Sequence, residues 1–429
     1  MSVDLLTVKP FEICSIRPPT ENSSLTFRLT RNCYWNRCAF CPVYKCGARF
    51  SKRGIDEVAE DIRRARLIDE LMFEQGIGFP IYHEGGYEKV ARLVERIEHA
   101  RWEAGIIDDG PPDEAPADLD PKLAWFLPWF KDRPGLLDSF QNVLSWRIGG
   151  SKTCFLGDAD SLVLKPAFLK QTIGLVKESF PTVERFTVYG RTASAARLRS
   201  FRELRAYRDA GLHRVHFGME SGSDRVLALA RKGITKAEHI EGLQKTREAG
   251  LSCSVYVMPG LGGMTLSDDH ARETADVISK AAPDFVRLRT LQIFPGTPLD
   301  GLRSRGEFAE ADEDRVVGEI RTLVESIDCD TVLMSDSATN LLPVQGRLPG
   351  DRPSMLARID AYLSLPKRER LEFSLKARIS SFHGQYGGLS RDIYARIAPF
   401  LKGGSLELGE ATDEDLVSAI TLIREKLMP

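Results

Sequence analysis

An α/β fold on a parallel sheet is predicted by three observations on the 429-residue chain. Short apolar, β-branched runs recur along it, and amphipathic stretches of helical length separate them. Two of those stretches end in Ala-Gly just before the next run, as a helix closed by a C-terminal glycine does.

The first run, "LTFRLTR" at 25–31, leads straight into a cysteine-rich loop. "IDEVAEDIRRARLID" at 55–69 then places acids early and bases late, the order a helix dipole favours. Strand-like runs return at 152–158, 184–190, 213–218, 252–259 and 284–295, with helix-like stretches at 166–180, 193–211, 235–250 and 265–282 between them. Six strands alternating with helices imply a parallel sheet, closed or curved, whose chemistry belongs at the carboxyl ends of the strands. The stretch at about 70–150 has no counterpart in a minimal barrel. It reads as a loop and a helix, then the acidic, proline-rich 108–121, a surface segment by composition, then "KLAWFLPWF" at 122–130. Packing explains that aromatic stretch by default, and a cap over the barrel mouth facing an apolar substrate is the functional alternative. His83 and Glu84 in the same insertion are candidate acid–base groups. The domain reading is a 1–24 extension, a barrel over 25–300 and a mainly helical region over 301–429.

Composition excludes some function classes. Basic and acidic residues nearly balance, 59 against 61, so net charge gives no reason to expect nucleic acid. The run Lys367, Arg368, Arg370, Lys376 and Arg378 reads as a solvated helix face. The chain carries no apolar run of membrane-spanning length and no signal-peptide pattern at its N-terminus, which suggests a cytoplasmic protein. Clustered cysteines in a reducing compartment hold metal or do redox chemistry more often than they pair.

Four of the eight cysteines fall in "LTRNCYWNRCAFCPVYKC" at 29–46. Cys33, Cys38 and Cys41 are separated by four and then two residues. Three thiolates on one short loop suit an iron–sulfur cluster with one iron left to an outside ligand. Cys46 makes a fourth, and with it a structural zinc site is the competing reading. Cys154 and Cys253 lie inside predicted strands and read as packing.

The cysteine loop after a first strand, followed by β/α units, resembles the radical S-adenosylmethionine superfamily, in the branch of the coproporphyrinogen dehydrogenases, elongator proteins and methylthiotransferases. The common spacing has three residues between the first two cysteines, where this chain has four. The resemblance implies a partial (β/α)6 TIM-like barrel with a helical insertion and a helical C-terminal region. It also implies a [4Fe-4S] cluster on Cys33, Cys38 and Cys41 that reductively cleaves S-adenosylmethionine to a 5′-deoxyadenosyl radical, which abstracts a substrate hydrogen. Residues at the strand ends then become candidates for holding S-adenosylmethionine: Phe40 near the adenine, Asp158 or Asp160 for the methionine ammonium, Arg191 for its carboxylate, Glu220 for the ribose or methionine end, and Gly260 for backbone approach to the adenine edge. An external one-electron reductant, such as a flavodoxin or ferredoxin, is implied. The chain carries no second cysteine triad, no vitamin B12 module and no acetyl-coenzyme A loop, so a single-cluster enzyme acting on a small or lipid-like molecule is expected. An RNA-modifying enzyme of the same superfamily and a zinc-stabilised binding protein are the alternatives.

Overall fold

The computed structural model describes residues 4–14, 16–43, 49–78, 84–106, 120–126, 135–402 and 405–427. Eight strands form one sheet in chain order: β1 (Leu25–Arg28), β2 (Thr153–Gly157), β3 (Arg185–Gly190), β4 (Leu212–Glu220), β5 (Ser252–Val257), β6 (Phe285–Leu288), β7 (Thr331–Met334) and β8 (Gly346–Leu348). The first seven run parallel, with Leu25 opposite Cys154 and Val215 opposite Cys253. β8 returns antiparallel to β7. All four residues of β1 are buried, as are four of the five in β2. Layers covering both faces of a parallel sheet produce this, and it is why these strands read as apolar runs rather than alternating ones.

Helices make the crossovers. α1 (Ile55–Glu74), α2 (Gly86–Glu103), α3 (Pro121–Phe126) and α4 (Leu136–Ile148) lie between β1 and β2, and α5 (Pro166–Ser179) leads to β3. α6 (Phe201–Asp209) follows β3, α7 (Asp224–Leu229) and α8 (Lys236–Glu248) follow β4, and α9 (Gly263–Ala281) follows β5. Ser200 and Thr235 begin α6 and α8 as capping boxes with Glu203 and Glu238, satisfying amides that the first turn leaves open. The stretch at 193–211 is not one helix: a π-helical turn over Ser194–Leu198 precedes α6.

Two features depart from the sequence expectation. β6 ends at Leu288, and the chain beyond it runs without strand geometry. The sheet also continues past a sixth strand, because "TVLM" after α10 (Pro298–Ser304) and α11 (Glu313–Ser326) adds a seventh. The main hydrophobic core accordingly runs on to Ile359 and Tyr362 in α12 (Arg352–Leu363). α13 (Lys367–Tyr386), α14 (Arg391–Ile397) and α15 (Asp413–Arg424) enclose a second core around Leu375, Phe382 and Leu416. Among the described residues no helix is long and apolar enough to cross a membrane.

The basic run on α13 is only partly a solvated face: Lys367 and Lys376 are exposed, and the arginines are paired. Arg378 is buried against Glu313, Arg370 pairs with Asp314, and Arg368 pairs with Glu372 and Asp413. The inserted helices are built into the barrel as well. Asn142 of α4 accepts from the Thr26 amide at 3.0 Å and donates to the Ser24 carbonyl at 3.2 Å, so α4 lies beside β1.

Candidate active site at the strand ends

The cysteine loop leaves the carboxyl end of β1 and is pinned at its base. Thr30 pairs with Lys52 and Arg31 with Ser51 in a short antiparallel ladder. Beneath it lies a network of guanidiniums and carboxylates. Arg28 donates to Asp158 at 3.1 Å, Arg53 to Asp61 at 2.6 Å and to the Arg28 carbonyl at 2.9 Å, and Arg31 grips Glu12. Farther along, the Ala39 amide bonds the Ala230 carbonyl and the Leu299 amide bonds the Ala39 carbonyl, so the residue between Cys38 and Phe40 is clamped on both sides. The Trp35 indole donates to the Arg231 carbonyl at 2.9 Å. Its ring lies so close to Gly233 that a Cβ there would fall 2.0 Å from it, and Gly233 has φ +68°. Glycine alone meets both demands without strain.

Cys33, Cys38 and Cys41 are half-buried. All three border one cavity of about 660 Å³ at the strand ends, together with Phe40, Arg191, Glu220 and Lys232. That volume is in the range of small-molecule sites. Burial raises the pKa of the Cys33 thiol, and the amides of Asn36 and Trp35 partly oppose that. Among the described residues no three His, Cys, Asp or Glu side chains converge tightly enough to grip a single metal ion. A cubic cluster makes a different demand, since each thiolate binds its own iron. Three separate thiols around one cavity fit that demand. Cys46 and His83 lie outside the described residues; Glu84 is described, and it does not border the cavity.

Arg191 follows β3. Its guanidinium lies 4.6 Å from the Trp35 ring centroid and 5.5 Å from that of Tyr34, donates to Tyr34 Oη at 3.0 Å, and reaches the Lys232 carbonyl. Its Nε is buried with no hydrogen-bond partner. Glu220 ends β4 at a shift of register, with φ +67°. A non-glycine residue held there costs on the order of 1–3 kcal/mol, and the Met258 amide fixes it by bonding the Glu220 carbonyl. Lys232 Nζ meets Glu220 Oε1 at 2.9 Å and lies 5.8 Å from the Phe40 ring centroid. Burial would lower the Lys232 pKa, but Glu220 and the Cys38 thiol outweigh it, and the net shift is upward. A side chain on Gly218 would meet Glu220 Oε1 at 2.6 Å and Lys232 Nζ at 3.1 Å. The unpartnered Arg191 Nε and the space that Gly218 leaves beside this pair suit a zwitterionic ligand such as S-adenosylmethionine.

The structure does not bring Asp158, Asp160 or Gly260 to the cavity wall. Asp158 is fully buried against Arg28. Asp160 accepts from the Arg191 amide at 3.1 Å and the Ser194 hydroxyl at 2.5 Å, and burial pushes its carboxyl up to about 6. The Gly260 amide bonds Glu319 at 3.0 Å, and it is Met258, two residues earlier, that faces the cavity. Sequence reasoning missed Lys232, which no motif marks, and Arg17, Tyr189, Tyr256 and Arg289, which also border the cavity. The alternation of Arg287 and Arg289 in an otherwise apolar run was the available signal for Arg289. The aromatic insertion comes beside this site. Trp125 packs on Phe382 and Tyr386, and Phe126 on Phe294; Phe294 and Tyr386 border the cavity. Residues 127–130 lie outside the described part.

The family model described as the radical SAM superfamily matches residues 136–277, from α4 into α9, a span that holds β2 to β5. The chain is similar to tRNA uridine(34) acetyltransferase of Methanocaldococcus infernus, 26% identical over 130 residues, 30% of this chain and 24% of that protein. It is also similar to tRNA-2-methylthio-N(6)-dimethylallyladenosine synthase of Bifidobacterium adolescentis, 29% identical over 138 residues, 29% of this chain and 28% of that protein. The chain spans about a quarter of the length of the curated relatives it matches. Among solved structures it is similar to methylornithine synthase, at 12% identity and a TM-score of 0.36, over 86% of this chain and 94% of that one. The stretch from α4 into α9, about a third of the chain, belongs by this match to the radical S-adenosylmethionine superfamily.

Proposed function

We propose that Cys33, Cys38 and Cys41 hold a [4Fe-4S] cluster and that the cavity beside them takes S-adenosylmethionine and a small or lipid-like substrate from which hydrogen is abstracted. One observation carries the reading: the three thiols border the same cavity as Phe40, Arg191, Glu220 and Lys232. When bound, the cluster would supply the electron that splits the carbon–sulfur bond of S-adenosylmethionine.

The residues divide the remaining tasks. Arg191, with an unused Nε and a stack on Trp35, is placed to bind the methionine carboxylate through its planar fork. Glu220 retains a carboxylate oxygen beyond its bond to Lys232, suited to ribose hydroxyls or an ammonium group. Lys232 holds Glu220 in place through their ion pair, and Phe40 offers a ring face for the adenine. Asp160 acts through Arg191, by fixing its backbone. The wall of Met258, Phe294 and Tyr386 excludes water from a reaction that stray hydrogen donors would quench.

Anaerobic reconstitution with iron and sulfide, followed by S-adenosylmethionine and a strong reductant, tests the reading. Wild-type protein should release 5′-deoxyadenosine, and Cys38→Ala should lower the rate by about 100-fold or more, since an enzyme without its reaction centre keeps only binding. Equal rates from both proteins would sink the assignment. The names of the curated relatives favour a second reading, an RNA substrate. Association with RNA that weakens steeply with salt would support it, although Arg368, Arg370 and Arg378 of α13 already hold carboxylates.

A further inference from the structure

We propose that the substrate of this cavity is a small molecule carrying an oxyanion, a carboxylate or a phosphate group, held by Arg17 and Arg289 with the Tyr256 hydroxyl. The proposal rests on the functional reading above for the statement that this molecule is the one transformed; the anion site stands on its own geometry.

Four cations border the cavity: Arg17, Arg191, Lys232 and Arg289. Two have partners on the side assigned to S-adenosylmethionine. Lys232 is neutralised by Glu220, and Arg191 is held by Tyr34, Trp35 and the Lys232 carbonyl. Arg17 and Arg289 differ. Arg17 enters from the N-terminal extension and donates its Nε to Asn22 Oδ1 at 3.3 Å. Arg289, just past β6, lies 5.0 Å from the Tyr256 ring centroid, and its Nε is buried with no hydrogen-bond partner. Neither meets a carboxylate within ion-pair distance among the described residues. Burial lowers the Arg17 pKa, with no carboxylate among the groups that oppose it.

The two guanidiniums border the cavity that Tyr189 and Tyr256 also line. Tyr189 and Tyr256 face each other with ring centroids 6.5 Å apart. Tyr256 is only 6% exposed, and its hydroxyl interacts with that of Tyr189; two phenols that share one hydrogen leave the other O–H open. Buried cations and hydroxyls are ordinarily satisfied by the protein. Here two guanidiniums and a phenol, drawn from three parts of the chain, leave donors open onto one cavity. An anion with two or more acceptor oxygens satisfies them together, and guanidinium forks match carboxylate and phosphate geometry. A polymer fits less well, because Tyr87 and Ser145 of the insertion and Gln385 of α13 also border this space.

The test is calorimetric titration of the cluster-reconstituted full chain, in separate arms, with pyrophosphate and with succinate at constant ionic strength. Saturable binding in at least one arm is expected, and the arm that binds names the group. Arg289→Met and Arg17→Met should each weaken it about tenfold or more. Arg225→Gln, an exposed arginine paired with Asp269, should leave it unchanged. Tyr256→Phe removes one hydroxyl without a charge, and a weakening of about threefold there guards against variants that fail to fold. No binding in either arm, or equal binding by wild type and all variants, would overturn the proposal. So would binding of an RNA oligonucleotide with no response to either small anion, or a loss of S-adenosylmethionine affinity in the arginine variants with anion binding intact. The titration needs no reductant and no S-adenosylmethionine. A wild type that binds the anion but releases no 5′-deoxyadenosine would therefore count against the functional reading and leave the anion site standing.

Discussion

The arginines under the cysteine loop and the arginines around the cavity are the same residue in opposite circumstances. Arg28, Arg31 and Arg53 lie against Asp158, Glu12 and Asp61, so each charge has a counter-charge from the protein. Arg17, Arg191 and Arg289 have aromatic rings, a carbonyl or an amide oxygen, and no carboxylate at ion-pair distance among the described residues. A buried pair balances desolvation with attraction and holds geometry. A cation without its pair keeps binding energy in reserve for a ligand. The difference separates scaffold from site more cleanly than position along the chain does.

Breaking a pair should have the largest effect. Arg28→Met removes the guanidinium that the buried Asp158 carboxylate lies against, and should reduce stability by about 3–5 kcal/mol in urea titrations. Adding Asp158→Leu to Arg28→Met should recover most of that loss, because an apolar pair replaces an ionic one without an orphan charge.

The next effect in size is a pH dependence. The Asp160 carboxyl titrates at about 6 in the fold against 3.8 for an ordinary aspartate. The folded state thus holds its proton more tightly, and this contribution is fully present below about pH 4 and lost as pH rises through about 6. In the cluster-free protein, the stability of wild type relative to Asp160→Asn should fall by roughly 3 kcal/mol between about pH 4 and 7. A flat difference would mean that Asp160 is not proton-linked.

Arg191→Gln should have the smallest effect on stability, about 1 kcal/mol or less, since no ion pair is lost. It should nonetheless weaken S-adenosylmethionine binding about tenfold or more by equilibrium dialysis. A large stability loss with unchanged affinity would move Arg191 to the scaffold side of the comparison.

The same contrast explains what the sequence made legible. The alternation of apolar runs and amphipathic stretches located the first six strands, because burial on both faces imprints itself on composition. The seventh strand was hidden, since "TVLM" is short and follows a helix that continues the preceding rhythm. Glu220 and Arg191 were readable as strand-end residues and do border the cavity. Asp158 and Asp160 occupy the equivalent place after β2, yet they turn toward Arg28 and toward the backbone of Arg191. An arginine in the middle of the buried run "LTFRLTR" was the signal that a carboxylate would be needed below. Lys232 left no such mark, because only the fold brings the segment before α8 back to the end of β4.

The most direct measurement is electron paramagnetic resonance of the reduced, reconstituted protein with and without S-adenosylmethionine, in wild type and in Cys33→Ala, Cys38→Ala and Cys41→Ala. The account predicts a cluster signal in wild type that changes when S-adenosylmethionine is added, and its loss in each of the three variants. A signal that ignores S-adenosylmethionine, or that persists when any one of the three thiols is removed, would contradict it.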